Sequence, residues 1–257
     1  MIEIVVPMAG RGSRFAAVGY RSPKPLIDVL GKPMIERVIE NLRPSRPHRF
    51  TFVVLREHVE TLGVRETLER CAPGCTIVPI DEVTEGAACT VLLAEHAWSP
   101  SSPLLIANSD QWVDGGIDPF LEAWASSGAD GFVMTMTADD PKWSYVELDE
   151  RGGVIRLVEK EVVSNEATVG IYAFARAEVF GAAARTMIAA EDRVNGEFYV
   201  APTYNYVLRD HYSVGWFNVG SEGNGMYGLG TPGDLGAFAG LAEAGKIEGL
   251  TVSEART

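Results

Sequence analysis

A glycine-containing segment near the start of the chain carries the residue types that bind phosphate. Gly10 and Gly12 follow an apolar run, residues 2–6, that predicts a buried first strand. Glycine lets the backbone turn tightly and approach a ligand, and the exposed amides of such a turn can bind phosphate oxygens. Arg14 and Lys24 add positive charge nearby, with arginine able to grip two phosphate oxygens and lysine acting as a point charge.

We name residues 7–15 the glycine loop, and their composition suits the triphosphate of a nucleotide. Its predicted nucleotide-binding residues are Met8, Ala9, Gly10, Arg11, Gly12 and Ser13. Two familiar glycine motifs do not fit the loop, because Phe15 stands where a dinucleotide-binding loop has Gly or Ala, and the Gly-Lys-Ser/Thr of a P-loop is absent.

The order of residues beyond the glycines is more specific. Gly-x-Gly-x-Arg-Phe is followed by Pro-Lys-Pro-Leu at residues 23–26, and together they resemble the signature of the sugar-phosphate nucleotidyltransferases, the nucleotide-sugar pyrophosphorylases. The likeness continues through residues 27–35 and is similar in look to members from capsule and surface-polysaccharide clusters. The alternative is a surface turn with two chance basic residues.

Asp110 provides the second chemical signal. It comes just after a short apolar strand, residues 104–107, so its carboxylate is expected at the rim of a sheet, where it can hold Mg²⁺ against phosphate oxygens. An aspartate that caps the next helix is the alternative. The resemblance implies that Asp110 binds magnesium and that Arg14, Lys24 and Asp110 are catalytic.

Two further parts of the nucleotide site follow from the resemblance. The turn containing Glu85 and Gly86 resembles the base-recognition turn of the family, and Ser109 lies beside the expected magnesium ligand. An ordinary helix start is equally compatible with the spacing at Gly86. The resemblance implies transfer of a nucleoside monophosphate from a nucleoside triphosphate, with pyrimidines favoured and CTP ahead of UTP and dTTP.

Glu159 and Lys160 form the third signal, directly after a predicted hairpin over residues 145–159. A charged pair by itself is typical of a solvated surface. The resemblance implies that Lys160 binds the phosphate of the acceptor, a sugar phosphate or another small phosphorylated compound, and that Glu159 binds its hydroxyls. It also implies acceptor-site roles for Gly170, Glu197 and Tyr199, although Tyr199 is equally compatible with an ordinary core position.

Gly228 is a departure from the family. Many members carry an aspartate, a second magnesium ligand, two residues before the glycine of the Gly-Thr-Pro motif at 230–232. Either one metal suffices here, or another carboxylate such as Glu197 or Glu222 reaches the site.

The rest of the chain alternates strands and helices: we predict strands over residues 50–55, 76–80, 104–107 and 131–137 and helices over 33–42, 59–71, 87–97 and 119–126. Apolar strands separated by helices predict an α/β three-layer sandwich with a mixed, mainly parallel central sheet, and the resemblance implies a Rossmann-like, GT-A-like nucleotidyltransferase fold. Ligands bind such sheets beyond the carboxyl ends of the strands. We expect one domain over residues 1–238, with a nucleotide-binding half at 1–137 and an acceptor-binding half at 138–238, and then a C-terminal helix and tail at 239–257.

Composition limits the possible partners. The chain has 257 residues, 46% of them hydrophobic, and a net charge of −13, which disfavours nucleic acid. No apolar run is long enough to span a bilayer, and no basic leader precedes the first strand. The chain has three cysteines, an odd number, and we expect them to be reduced thiols in a cytoplasmic protein. We expect no membrane partner, and the protein is a possible homo-oligomer.

Two other functions stay open at the level of sequence. A metal-dependent glycosyltransferase would use Asp110 to hold a nucleotide-sugar, although the Asp-x-Asp motif typical of such enzymes is absent around that residue. A non-catalytic nucleotide-binding protein would explain Gly228, but the presence of Arg14, Lys24 and Asp110 argues against lost chemistry.

Overall fold

A computed structural model describes residues 1–251, in which a large twisted sheet carries helices on both faces. The strands are β1 Ile2–Pro7, β2 Asp28–Val29, β3 Lys32–Pro33, β4 His48–Leu55, β5 Thr76–Ile80, β6 Leu104–Ala107, β7 Gln111–Val113, β8 Gly131–Thr137, β9 Ser144–Leu148, β10 Val154–Glu159, β11 Glu166–Phe174, β12 Val214–Glu222 and β13 Gly225–Gly228. The helices are α1 Ser13–Ala16, α2 Met34–Leu42, α3 Arg56–Thr61, α4 Val64–Cys71, α5 Ala87–Leu92, α6 Asp118–Ser127, α7 Ala177–Ala189, α8 Thr203–Arg209 and α9 Pro232–Glu243.

The central sheet is mixed and mainly parallel, as predicted. Its strands lie in the order β5-β4-β1-β6-β11-β8-β12-β13-β7, and the hairpin β9–β10 joins it through β11. From β5 to β12, every strand runs in one direction except β11, which is antiparallel to both of its neighbours. The first strand of the chain therefore lies inside the sheet, with β4 and β6 on either side.

Successive side chains of the central strands pack alternately in two separate hydrophobic cores. In β1, Ile4 and Val6 pack in one core and Val5 packs in the other, because successive side chains of a strand point to opposite faces. The first core takes apolar residues from α2, α4, α6 and α9, and the second takes them from α5, α7 and α8. Two helical layers around one sheet confirm the predicted three-layer sandwich.

Several predicted boundaries differ from the structure. A single helix expected over residues 59–71 is two helices, α3 and α4, because the chain breaks at Gly63, whose φ is +73°. The expected helix over 87–97 ends at Leu92 and is followed by a short 3-10 turn. The boundary predicted at residue 238 falls within α9, and residues 252–257 of the predicted tail lie outside the described residues.

The predicted division at residue 137 coincides with the end of β8, and the assignment of the two halves stays a prediction. Within residues 1–251, no helix combines the length and the apolar character needed to cross a membrane.

Candidate active site

The glycine loop connects β1 to α1 and presents a row of unengaged backbone amides. Gly12 has a φ of +62°, in the left-handed region that glycine adopts without strain. Among the described residues, no group accepts a hydrogen bond from the backbone amides of Gly10, Arg11, Gly12 or Ser13. The amide of Met8, in contrast, donates to the carbonyl of Val53 at 2.9 Å, so this predicted nucleotide-binding residue has no amide to offer a ligand.

Lys24 and Asp110 meet beside this loop. The Lys24 ammonium lies 2.5 Å from Oδ2 of Asp110, and both side chains are only partly exposed. Asp110 follows β6 and the glycine loop follows β1, so the pairing of these two parallel strands brings their carboxyl ends together. Lys24 is held close to the loop, since a Cβ atom placed on Gly12 would lie 3.0 Å from Cβ of Lys24.

A cavity of about 420 Å³ opens at this edge of the sheet. It is lined by nine of the residues predicted to bind the nucleotide or to act in catalysis, namely Met8, Gly10, Arg11, Gly12, Ser13, Arg14, Lys24, Ser109 and Asp110. Arg11 and Arg14 are exposed, and neither has a hydrogen-bond or salt-bridge partner among residues 1–251. Sequence reasoning missed Asn108 and Gly230, which also line this cavity. The position of Asn108 directly after β6 was the available signal.

A second cavity of about 200 Å³ shares Pro7 and Gly10 with the first. Its remaining lining residues are Ala9, Val83, Thr84, Gly86, Ala87, Thr90 and Glu197. Ala9 and Gly86 thus line a cavity that adjoins the first one, and their role in base recognition stays a prediction. Glu85 lines neither cavity, and its exposed carboxylate pairs with Arg193 at 3.3 Å.

Gly86 also has a structural role. Its φ is +138°, and an added Cβ would lie 2.5 Å from the amide nitrogen of Phe198. The amide of Phe198 donates to the carbonyl of Glu85, and its carbonyl accepts from Ala88, so the two backbones are held side by side. Glycine at this position is therefore required for close packing of the turn whether or not it contacts a base.

Glu159 and Lys160 stand at the end of β10 with their charges directed to different partners. Glu159 is buried and accepts a hydrogen bond from the hydroxyl of Ser144, and burial raises the pKa of its carboxyl despite that bond. Lys160 has a φ of +59° and donates to the Tyr199 hydroxyl at 2.7 Å, a bond that raises the pKa of the ammonium group. Burial raises the pKa of Tyr199. We call Glu159, Lys160 and Tyr199 the acceptor cluster, after the role that the sequence predicts for them.

Glu197 lies between the acceptor cluster and the second cavity. It lines that cavity, and its charge raises the pKa of both Glu159 and Lys160 as a smaller contribution. Gly170 lies in an irregular stretch of β11 with a φ of +79°, and an added side chain would overlap the amide group of Asn108. The structure thus places Gly170 against the loop that carries Asp110.

Gly230 lies directly beside the carboxylate of Asp110. A Cβ atom on Gly230 would lie 2.8 Å from Oδ2 of Asp110, so any side chain there would fill the space beside the carboxylate. Residues 1–251 contain no group of three or more His, Cys, Asp or Glu side chains placed to hold a metal. A magnesium ion at this position would therefore depend on few protein ligands together with phosphate oxygens, which is the usual pattern for Mg²⁺.

The fold and the cavity define an α/β protein with a glycine loop beside a carboxylate at the carboxyl ends of its central strands. Comparison with known proteins makes this class more specific. The family described as "Nucleotidyl transferase" matches residues 4–221, and the chain belongs to that family. The prediction of a nucleotidyltransferase is therefore confirmed at the level of the family.

Individual relatives are more distant. The chain is 26% identical over 175 residues to the mannose-1-phosphate guanylyltransferase catalytic subunit beta of Drosophila melanogaster, a match that covers 66% of this chain and 47% of the relative. It is 24% identical over 230 residues to the bifunctional protein GlmU of Lactobacillus johnsonii, covering 84% and 46% of the two chains. The chain spans about half the length of these curated relatives.

The fold is shared along almost the whole chain. A nucleoside-diphosphate-sugar pyrophosphorylase from Vibrio cholerae RC9 superposes with a TM-score of 0.79 at 24% identity, covering 92% of this chain and 99% of that one. The inositol-1-phosphate CTP transferase of T. maritima superposes with a TM-score of 0.68 at 17% identity, covering 90% of each chain. These similarities confirm the predicted Rossmann-like nucleotidyltransferase fold.

Proposed function

We propose that this protein transfers a nucleoside monophosphate from a nucleoside triphosphate to a sugar phosphate or another small phosphorylated acceptor. The observation that carries the proposal is the meeting of Lys24 and Asp110, at 2.5 Å, beside a loop whose amides have no partner among the described residues. Free amides and unpaired arginines suit a polyphosphate, and a carboxylate at the same edge suits its metal ion.

In the proposed reaction, an oxygen of the acceptor phosphate attacks the α-phosphorus of the nucleotide. A new P–O bond forms as the bond from the α-phosphorus to the bridging oxygen breaks, and the electron pair leaves with pyrophosphate. The acceptor is already an anion, so no general base is required, and catalysis rests on positioning and neutralisation of charge.

The residues of the first cavity have separate roles in this proposal. The glycine-loop amides and Arg14 bind the departing pyrophosphate, and Lys24 binds the α-phosphate as negative charge develops there. Asp110 holds Mg²⁺, which when bound supplies positive charge to the phosphate oxygens. Lys24 and Asp110 neutralise each other in the structure, so both must exchange partners when a nucleotide enters.

The acceptor cluster supports the choice of a phosphorylated acceptor. Lys160 offers a cation at the end of β10, Tyr199 orients it, and the buried carboxyl of Glu159 can bind hydroxyl groups. Gly170, packed against Asn108, connects this side of the protein to the Asp110 loop. We extend the proposal to a pyrimidine base, with CTP ahead of UTP and dTTP, as the resemblance of the turn at Gly86 to the base-recognition turn of the family implies.

Pyrophosphate release tests this function. The protein is incubated with Mg²⁺, one of five nucleoside triphosphates, and a panel of sugar 1-phosphates and polyol phosphates, and pyrophosphate is measured with and without the acceptor. The proposal predicts acceptor-dependent release with at least one pyrimidine nucleotide and none from the Asp110→Asn variant. Nucleotide binding without release by any acceptor would contradict it and favour a binding protein, whereas consumption of a nucleotide-sugar would favour a glycosyltransferase.

A further inference from the structure

Two glycines beside Asp110 open a space toward a carboxylate of the following helix. A Cβ atom placed on Gly230 would lie 2.8 Å from Oδ2 of Asp110 and 4.0 Å from Oδ2 of Asp234. Both distances start from one point, so the two carboxylate oxygens are separated by no more than the sum of the two, about 7 Å. A Cβ atom on Gly228 would lie 3.5 Å from Cγ of Asp234.

Backbone contacts fix Asp234 in this position. The amide of Leu229 donates to the carbonyl of Asp110 at 2.7 Å, which ties the end of β13 to the residue that would hold the metal. Two residues later, Thr231 caps α9 by accepting a hydrogen bond from the amide of Asp234 at 3.1 Å. The capped start of α9 therefore carries the Asp234 carboxylate into the space that Gly228 leaves open.

The carboxylate of Asp234 is also free of hydrogen bonds and salt bridges to other described residues. Within residues 1–251 its side chain makes no salt bridge and accepts no hydrogen bond, although Lys142 lies near enough for its pKa to respond weakly to this charge. Of the two carboxylates suggested by the sequence as substitutes for a second ligand, Glu222 lines a cavity together with Gly228 and Asp234 but is exposed and paired with Lys142 at 3.1 Å. Glu197 lies elsewhere, at the second cavity.

We propose that Asp234 supplies the second carboxylate of the magnesium site, in place of the aspartate that many family members carry at the position of Gly228. This inference rests on the proposed function, because the ion would be the one that accompanies the nucleotide. Magnesium commonly uses one or two carboxylates and retains several waters. A separation of up to about 7 Å suits one ion that keeps a water between itself and one of the carboxylates.

Binding of Mn²⁺ alone, without nucleotide, tests this assignment. The free Mn²⁺ signal in electron paramagnetic resonance is followed as increasing amounts of the 257-residue protein are added, for the wild type and for Asp234→Asn, Asp110→Asn and Glu222→Gln. We expect Asp234→Asn to weaken Mn²⁺ binding about tenfold or more, as loss of a supporting ligand does in other metal sites. Glu222→Gln, the matched control, should bind Mn²⁺ as the wild type does.

A rescue variant separates loss of a ligand from damage to the helix start. Gly228→Asp, introduced into the Asp234→Asn protein, should restore most of the lost Mn²⁺ affinity, and thermal melting checks that each variant is folded. The inference is overturned if Asp234→Asn binds Mn²⁺ like the wild type, or if the wild type binds no better than Asp110→Asn. Acceptor-dependent pyrophosphate release by the wild type would leave the proposed function standing in either case.

Discussion

The ammonium group of Lys24 lies 2.5 Å from a carboxylate oxygen of Asp110, across 86 positions of the sequence. This pair joins the segment after the glycine loop to the segment after β6, two parts of the chain that come together because β1 and β6 are parallel neighbours. Each charge neutralises the other until ligands separate them. Phosphate oxygens would bind Lys24 and magnesium would bind Asp110. Because each ligand frees the partner of the other, the nucleotide and magnesium should bind cooperatively.

Replacement of Lys24 by alanine should damage catalysis without unfolding the protein. Loss of one charged group that stabilises developing negative charge lowers kcat by about 10²–10³-fold in enzymes of this general kind. The measurement is steady-state pyrophosphate release, with circular dichroism to verify the fold. Lys32→Ala is the matched control, because Lys32 pairs with Glu40 away from the cavity and its loss should leave turnover unchanged. Near-normal turnover in Lys24→Ala would remove this residue from the mechanism.

Replacing Gly12 by alanine should destabilise the protein more than replacing Gly10 by alanine. Alanine at residue 12 would have to hold a φ of +62° and place its Cβ 3.0 Å from Cβ of Lys24, whereas nothing lies within 4 Å of a Cβ on Gly10. A left-handed conformation costs a non-glycine residue about 1–2 kcal/mol. We expect Gly12→Ala to lower the free energy of unfolding by about that amount in urea titrations. Equal stabilities for the two alanine variants would contradict this account of the loop.

The position of Arg14, Lys24 and Asp110 at one cavity was predictable from sequence because each of them lies in a strong local pattern. Arg14 and Lys24 lie in a specific motif, and Asp110 follows an apolar strand whose bounds, 104–107, match the structure. Asp234 could not be found in this way. It lies 124 residues beyond Asp110, and only the pairing of β13 with β7 and the cap of α9 bring it near.

The fold shows the same division between local and tertiary information. The apolar runs 76–80 and 131–137 coincide with β5 and β8 because buried strands are continuous hydrophobic segments. β12 was not predicted, since Val214–Glu222 mixes glycines and polar residues with aromatics, and most of its side chains are only half-buried. It is a strand because β8 provides a parallel partner along its length.

Lys160 should matter more for the acceptor than for the nucleotide. Its ammonium is oriented by the Tyr199 hydroxyl at 2.7 Å, and hydrogen bonds to charged groups contribute about 1.5–3 kcal/mol. Lys160→Ala should therefore raise the KM for the acceptor by about 10- to 100-fold, with a much smaller effect on the KM for the nucleotide. Lys246→Ala, which removes an exposed lysine elsewhere, is the control. A selective rise in the nucleotide KM would contradict the acceptor assignment.

Glu159 predicts a particular pH dependence of stability. Burial raises the pKa of its carboxyl in the folded protein, so the folded state holds this proton more tightly than the unfolded state does. The resulting stabilisation is fully present below the ordinary pKa of glutamate and is lost as the pH rises through the raised pKa. Over that interval the wild type should lose melting temperature relative to Glu159→Gln.

Melting curves of the two proteins from acid to neutral pH measure this difference. Glu161→Gln, which removes an exposed carboxyl two residues away, is the matched control and should follow the wild type at every pH. If the difference in melting temperature between the wild type and Glu159→Gln is the same at every pH, burial does not raise the pKa of the Glu159 carboxyl.

The most direct test of the central claim is thermal stabilisation by CTP, UTP, dTTP, GTP and ATP, each with and without Mg²⁺, in the wild type and in Asp110→Asn. Ligand that binds only the folded state stabilises it by about 2.7 kcal/mol at a concentration one hundred times its Kd. We predict a clear rise in melting temperature with a pyrimidine nucleotide, dependent on Mg²⁺ and lost in Asp110→Asn. No shift with any nucleotide would contradict the assignment of the glycine loop and Asp110 to a nucleotide site.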